Sequence, residues 1–196
     1  DKKNLYKAFS HESPVFYILT NTRSMAGDDA SLVTRQVMKA VIEGNENNFK
    51  LIFISRSDST LRGHFPLEPE IMLDELDQSG NKVSLPVFFI PSFFEAGRMT
   101  IDGVHYMRSG DDLIPVSETE FASDNVFGYK NSDLTEYIIE KSKGRISKEE
   151  IGRISLEDLR TGDYNNLPDS LLQPKPNTSS TGKSSVSYRN GGNHAV

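Results

Sequence analysis

The chain runs to 196 residues, enough for one substantial core, and contains no cysteine, which rules out disulfides and thiolate metal or redox sites. A formal net charge of -6 argues against a basic nucleic-acid surface. No apolar run is long enough to span a membrane and no signal-peptide pattern opens the sequence, so the expectation is a cytoplasmic protein without a membrane or nucleic-acid partner.

In chain order, Asp1 to Ser13 is polar, and Val15-Phe16-Tyr17-Ile18-Leu19 then reads as a buried strand entering the polar loop Thr20 to Ser24. Asp28 and Asp29 read as the cap and first turn of a helix, where carboxylates complement the dipole. Ala30, Val33, Val37, Ala40 and Val41 give that helix an apolar face, and Gly44 stops it. A second strand, Phe49 to Ile54, runs into the loop Ser55 to Glu68. A helix follows with Pro69 in its first turn, Ile71, Met72, Leu73 and Leu76 inside, and Gly80 at its end. A third strand, Val87 to Ile90, begins after Pro86 and ends in the loop Pro91 to Arg98. This alternation predicts an α/β fold, three-layer, with a mainly parallel sheet and helices on both faces.

Beyond Arg98 the pattern changes. Asp102-Gly103, flanked by Met99-Thr100-Ile101 and Val104-His105-Tyr106-Met107, predicts a type I′ hairpin. Ser117 to Phe121 reads as loop or short helix. Ser132 is the expected cap of a helix that buries Leu134, Ile138 and Ile139 and stops at Gly144. Ile151 to Ile154 reads as a short strand, and Ser155 to Leu159 as the start of a helix. From 164 to 196 apolar residues give way to Pro, Asn, Ser and Gly, so 1–163 is read as the folded domain and 164–196 as a disordered tail. Within the tail, Asn177 to Ser184 imitates a phosphate-binding P-loop, but Asn177 replaces the first glycine and no strand or helix pattern flanks it. It is not read as an ATP site.

The chemistry gathers in the loops. Each predicted strand ends in a loop carrying arginine: Arg23, then Arg56 and Arg62, then Arg98. In a parallel sheet such loops share one edge, and a guanidinium fork matches a carboxylate or phosphate. The hydroxyls of Ser57, Ser59 and Thr60, with Asp58, suit the hydroxyls of a polyol. Asp58 is also the candidate to accept a proton from a substrate hydroxyl. The competing reading pairs Arg56 or Arg62 structurally with Asp58, Glu68 or Glu70. The four histidines are scattered, with no pair at zinc-ligand spacing, so no metal site is predicted.

Ser57-Asp58-Ser59-Thr60-Leu61-Arg62-Gly63-His64, together with Glu95-Ala96-Gly97-Arg98-Met99-Thr100-Ile101-Asp102-Gly103-Val104-His105-Tyr106, resembles the amino-terminal domain of the four-carbon acid sugar kinase family. Glu118 to Ala122 and Ile154 to Arg160 resemble later segments of that family, so the resemblance runs from about Val15 to Arg160. It implies an ATP-dependent kinase acting on a hydroxyl of threonate, erythronate or a 3-oxo-tetronate. The amino-terminal α/β domain would bind the acid sugar, and a separate carboxyl-terminal domain would bind ATP with Mg2+. By this resemblance Asp58, Ser59, Arg62 and Gly63, then Gly97 and Arg98, bind substrate, with Arg23 and Ser24 in the first polar loop a weaker match. The family's usual opening strand, ending in Asp-Asp-x-Thr-Gly at the reacting centre, is missing from this sequence, and Asp28-Asp29 does not replace it. The nucleotide domain is missing too. The expectation is an incomplete copy carrying the substrate-binding part, weakly active or inactive alone, with a further chain supplying the nucleotide domain. Two other expectations compete: a non-catalytic small-anion binding module, and a nucleotidase resting on Gly182-Lys183-Ser184.

Overall fold

Apolar residues at helical spacing build the first of two units into which the chain divides, Asp1–Ser57 with His64–Val83 and Asp58–Gly63 with Ser84–Val196. The computed structural model describes residues 2–11, 13–80, 86–162 and 188–191. In the first unit, α1 (Lys2–Ser10) and α3 (Leu67–Gln78) both pack on α2 (Gly27–Gly44). Helix α2 buries Ala30, Thr34, Met38 and Val41, one residue per turn. Thr34 is tolerated in that stripe because its hydroxyl donates to the Ala30 carbonyl at 2.8 Å. Ile71 and Glu75 are the buried residues of α3, and Arg35 Nη1 meets the buried Glu75 carboxylate at 2.5 Å. A buried carboxylate without such a partner would be costly. Phe9 of α1 lies edge-on to Phe16 at 5.4 Å and stacks on Phe49 at 6.3 Å.

The two strands expected at 15–19 and 49–54 are not formed. Both segments lie outside any ladder among the described residues, and most of their apolar side chains are open, Leu19 93% and Ile52 85% exposed, with Leu51 and Phe53 partly covered. A strand is held by its cross-strand neighbours, and no described strand runs beside either segment. Their β-forming composition is real; the pairing is what they lack.

The second unit contains two three-stranded sheets, one parallel and one antiparallel, in place of the expected single, mainly parallel sheet. The parallel sheet joins β1 (Val87–Phe89), β6 (Tyr188–Gly191) and β5 (Gly152–Ile154) in the order β1-β6-β5. Its middle strand comes from the stretch read as a disordered tail, a correction at those four residues. The P-loop imitation lies outside the described residues. The antiparallel sheet is a meander of β2 (Arg98–Ile101), β3 (Val104–Ser109) and β4 (Asp112–Pro115). The expected hairpin is present: Asp102 and Gly103 have φ of 49° and 82°, as a type I′ turn demands. Strand β4 was not anticipated.

Helix α4 (Leu134–Lys141) supplies much of the second unit's core through Leu134, Tyr137 and Ile138, with Val116 and His105 also buried. Its cap is Asp133, whose carboxylate accepts from the Thr135 and Glu136 amides at 2.9 and 3.2 Å. The expected cap, Ser132, instead donates to Ser117 Oγ at 2.7 Å and accepts from the Ser117 amide at 2.8 Å. The stretch 116–123 forms two 3₁₀ turns, and α5 (Leu156–Thr161) is capped reciprocally by Ser155 and Asp158. No helix among the described residues is long and apolar enough to cross a membrane.

Candidate functional site

Residues 58–62 form a tight turn in the second unit, closed by the Leu61 amide to the Asp58 carbonyl and the Asp58 amide to the Arg62 carbonyl, both at 3.2 Å. Leu61 closes the turn in the left-handed region, at φ 62°. A non-glycine residue there costs about 1–2 kcal/mol and persists only where its surroundings hold it. Asp58 Oδ2 organises the polar side of the turn. It accepts from the Thr60 hydroxyl, from the Thr60 amide at 3.3 Å and from Arg62 Nε at 2.9 Å. The Arg62 Nη1 reaches Asp124 at 3.7 Å, and the guanidinium lies 4.6 Å above the centre of the Phe121 ring. Arg62 is thus held between two carboxylates over an aromatic face, a fixed orientation for an otherwise mobile side chain. The structural pairing of Arg62 with Asp58 is present, and it leaves Arg62 and Asp58 about one-sixth to one-fifth exposed (19% and 16%).

Gly97 and Arg98 enter the same unit at the start of β2. Gly97 has φ 71°, and a Cβ there would sit 2.9 Å from the Arg108 Cβ, so only glycine fits. Arg98 Nη1 donates to the Ala96 carbonyl, while its buried Nε has no hydrogen-bond partner among the described residues. The Arg98 charge acts on His105, which is linked to the central turn: His105 Nε2 lies 2.8 Å from the Ser59 carbonyl. Because a carbonyl only accepts, Nε2 carries the proton, and Nδ1 accepts from the Thr100 hydroxyl at 3.0 Å. Burial pushes this imidazole below its ordinary pKa of 6.5, against the Ser59 hydrogen bond and with help from Arg98.

Of the predicted residues, Asp58, Ser59, Arg62, Gly63, Gly97 and Arg98 all fall in the second unit. Arg23 and Ser24 belong to the first, on a 3₁₀ turn where Ser24 Oγ donates to the Asn21 carbonyl at 2.9 Å. That turn is tied to the start of α3. Thr22 Oγ1 donates to Glu68 at 2.5 Å, Ser55 Oγ donates to the same carboxylate at 3.3 Å, and His64 Nε2 is shared by the Thr22 and Met25 carbonyls at 2.9 and 3.1 Å. Sequence reasoning did not single out Asp124, Phe121, Tyr129 or Tyr137. A lone Asp and three aromatics carry no spacing signal, because their role depends on a turn some sixty or more residues away.

The fold and this turn define a mixed α/β domain with an arginine-centred polar loop. Residues 3–176 match the family model described as "Sugar-binding N-terminal domain". The chain belongs to that family, the amino-terminal domain of the four-carbon acid sugar kinases. Two solved structures of the DUF1537 family share the fold. One, from Bordetella bronchiseptica, is described as a domain-swapped dimer with bound citrate; it is 21% identical with a TM-score of 0.56, over 78% of this chain and 33% of that one. The other, a Haemophilus influenzae protein, is 16% identical with a TM-score of 0.55, over 86% of this chain and 35% of that one. This chain therefore spans about a third of the length of these relatives. No curated protein matches it.

Proposed function

We propose that this domain binds a four-carbon sugar acid, such as threonate, erythronate or a 3-oxo-tetronate, as the substrate-binding part of an ATP-dependent, cytoplasmic sugar-acid kinase. The observation that carries the reading is the turn at Asp58–Arg62, where a fixed guanidinium, a carboxylate and two hydroxyls occupy five consecutive residues. A sugar acid has the complementary groups: a carboxylate for the Arg62 fork, and hydroxyls for Asp58, Ser59 and Thr60. Arg98 adds a second cation, and its buried, unpaired Nε gains from any acceptor brought within reach. Gly63 and Gly97, in the same unit, complete this substrate set. Citrate, held by the Bordetella relative, is itself a hydroxy acid, which favours a ligand of this class.

In the whole enzyme Asp58 is the carboxylate that receives the proton of the attacking hydroxyl, and MgATP supplies the phosphoryl group. Among the described residues no three His, Asp or Glu side chains cluster to hold a metal. In this reading the metal is bound with the nucleotide, in a nucleotide-binding part carried by the same or a partner chain. The three-layer arrangement belongs to this reading: the apolar segments 15–19 and 49–54 have the composition of sheet strands.

Calorimetric titration with threonate, erythronate and the 3-oxo analogue, followed by MgATP, tests the proposal. Sugar-acid binding without nucleotide binding is expected. Saturation with citrate or phosphate but none of the three acids would favour a general small-anion binding module, and no binding to any acid would refute the reading.

A further inference from the structure

The strained turn at 58–62 is held from outside by three side chains that lie far from it in sequence. Three consecutive carbonyls each receive one buried donor. His105 Nε2 donates to Ser59 at 2.8 Å, Tyr129 Oη to Thr60 at 2.8 Å, and Tyr137 Oη to Leu61 at 2.7 Å. His105 comes from β3, Tyr129 from the segment before α4, and Tyr137 from α4 itself. All three are buried, and the two tyrosine rings meet edge-on at 5.6 Å.

We infer that His105, Tyr129 and Tyr137 act as a clamp, positioning residues that fix the turn so that Asp58 and Arg62 are pre-set for the acid ligand. The need for a clamp follows from the turn's own energetics. Leu61 at φ 62° is unfavourable alone, and a turn of five polar-rich residues has no core of its own to hold it. Each carbonyl, taken out of water, is costly unless a donor meets it. Three rigid ring donors meet these demands with little side-chain entropy to lose, and they set the direction of the three peptide planes from Ser59 to Arg62, which carry the Arg62 side chain back to Asp58. A ligand then meets a site already in its bound shape. The inference rests on the turn being the acid site only for its effect on binding; the clamp itself is independent of that reading.

Amide hydrogen exchange separates the two. The amides of Asp58 and Leu61 bond within the turn, to the Arg62 and Asp58 carbonyls, whereas the Ser142 amide bonds to the Ile138 carbonyl in α4. In Tyr129→Phe/Tyr137→Phe, exchange at Asp58 and Leu61 should rise about tenfold or more with Ser142 still protected, and threonate affinity should fall by about the same factor. Tyr129→Phe alone serves if the double variant does not fold. His105→Gln, which keeps an N–H donor, should hold threonate more tightly than His105→Leu. Unchanged exchange at Asp58 and Leu61 would overturn the clamp. Faster exchange in the variant would support the clamp while overturning the turn as the acid site if threonate affinity is unchanged or if the native chain binds no threonate.

Discussion

At the residue scale, Arg62 shows how one side chain can serve the site and the fold together. Removing it takes the cation away from Asp58 and Asp124, both mostly shielded from solvent, so Arg62→Ala should lower stability by about 1–2 kcal/mol as well as weaken acid binding. Arg62→Lys separates the roles. It keeps the charge but loses the planar fork, so stability should change by less than about 1 kcal/mol while threonate binding weakens at least about tenfold. Equal binding by the lysine variant would show that only charge matters. Gly97→Ala should cost about 1–3 kcal/mol in chemical denaturation, because the left-handed backbone and the Arg108 Cβ both oppose a side chain. Gly110→Ala, at φ 62° with open space around it, should cost less, about 1 kcal/mol. The sequence made Arg62 and Gly97 visible, as members of motifs. It concealed Asp124 and Phe121, since nothing local marks an acid and an aromatic that meet a guanidinium from 62 and 59 residues away.

Among the elements, α4 links the core to the candidate site. Burial raises the pKa of both Tyr129 and Tyr137 above the ordinary 10; at Tyr129 the charge of Arg62 opposes it and that of Asp58 adds to it, and at Tyr137 negative charge on Tyr129 and Glu140 adds to it. Above pH 10 the unfolded chain releases these protons while the folded one keeps them, so stability is full below pH 10 and falls as pH rises beyond it. Each tyrosine contributes a slope of about 1.4 kcal/mol per pH unit. Tyr137→Phe should remove its share of that alkaline slope, and an unchanged slope in urea titrations from pH 9 to 11 would contradict this. The Asp133 cap is a separate support, since its carboxylate holds two helix amides and takes Arg153 Nη2 at 2.5 and 2.7 Å. Helices α2, α3, α4 and α5 were readable from apolar spacing, although the caps of α2 and α4 are Ala26 and Asp133 and not Asp28 and Ser132, and the β2–β3 hairpin was readable from Asp102-Gly103. Strand β4 escaped because Asp112-Leu113-Ile114-Pro115 is too short to show alternation. Strand β6 escaped because its residues are polar, and only its place between two other strands makes it one.

On the scale of the whole molecule, local composition and long-range pairing disagree at 15–19 and 49–54. Both segments carry the β-branched and aromatic residues of buried strands, yet both are exposed among the described residues. Composition reports what a segment favours beside a partner, and it cannot supply the partner. Leu19→Lys and Ile52→Lys should accordingly change the stability of this chain by no more than about 0.5 kcal/mol in thermal or urea unfolding. A loss above about 2 kcal/mol would mean that these side chains are buried. The candidate site, by contrast, needs only one unit to bring Asp58, Arg62, Gly97, Arg98 and the three ring donors into one body. The most direct test of that site is residue-by-residue mapping of amide shifts as threonate is added to the isotope-labelled chain. Shifts concentrated at 58–63 and 97–98, needing at least about tenfold more threonate in Arg62→Lys, are the result predicted. Saturable shifts elsewhere with none at the turn, or no shifts at millimolar threonate, would contradict the account.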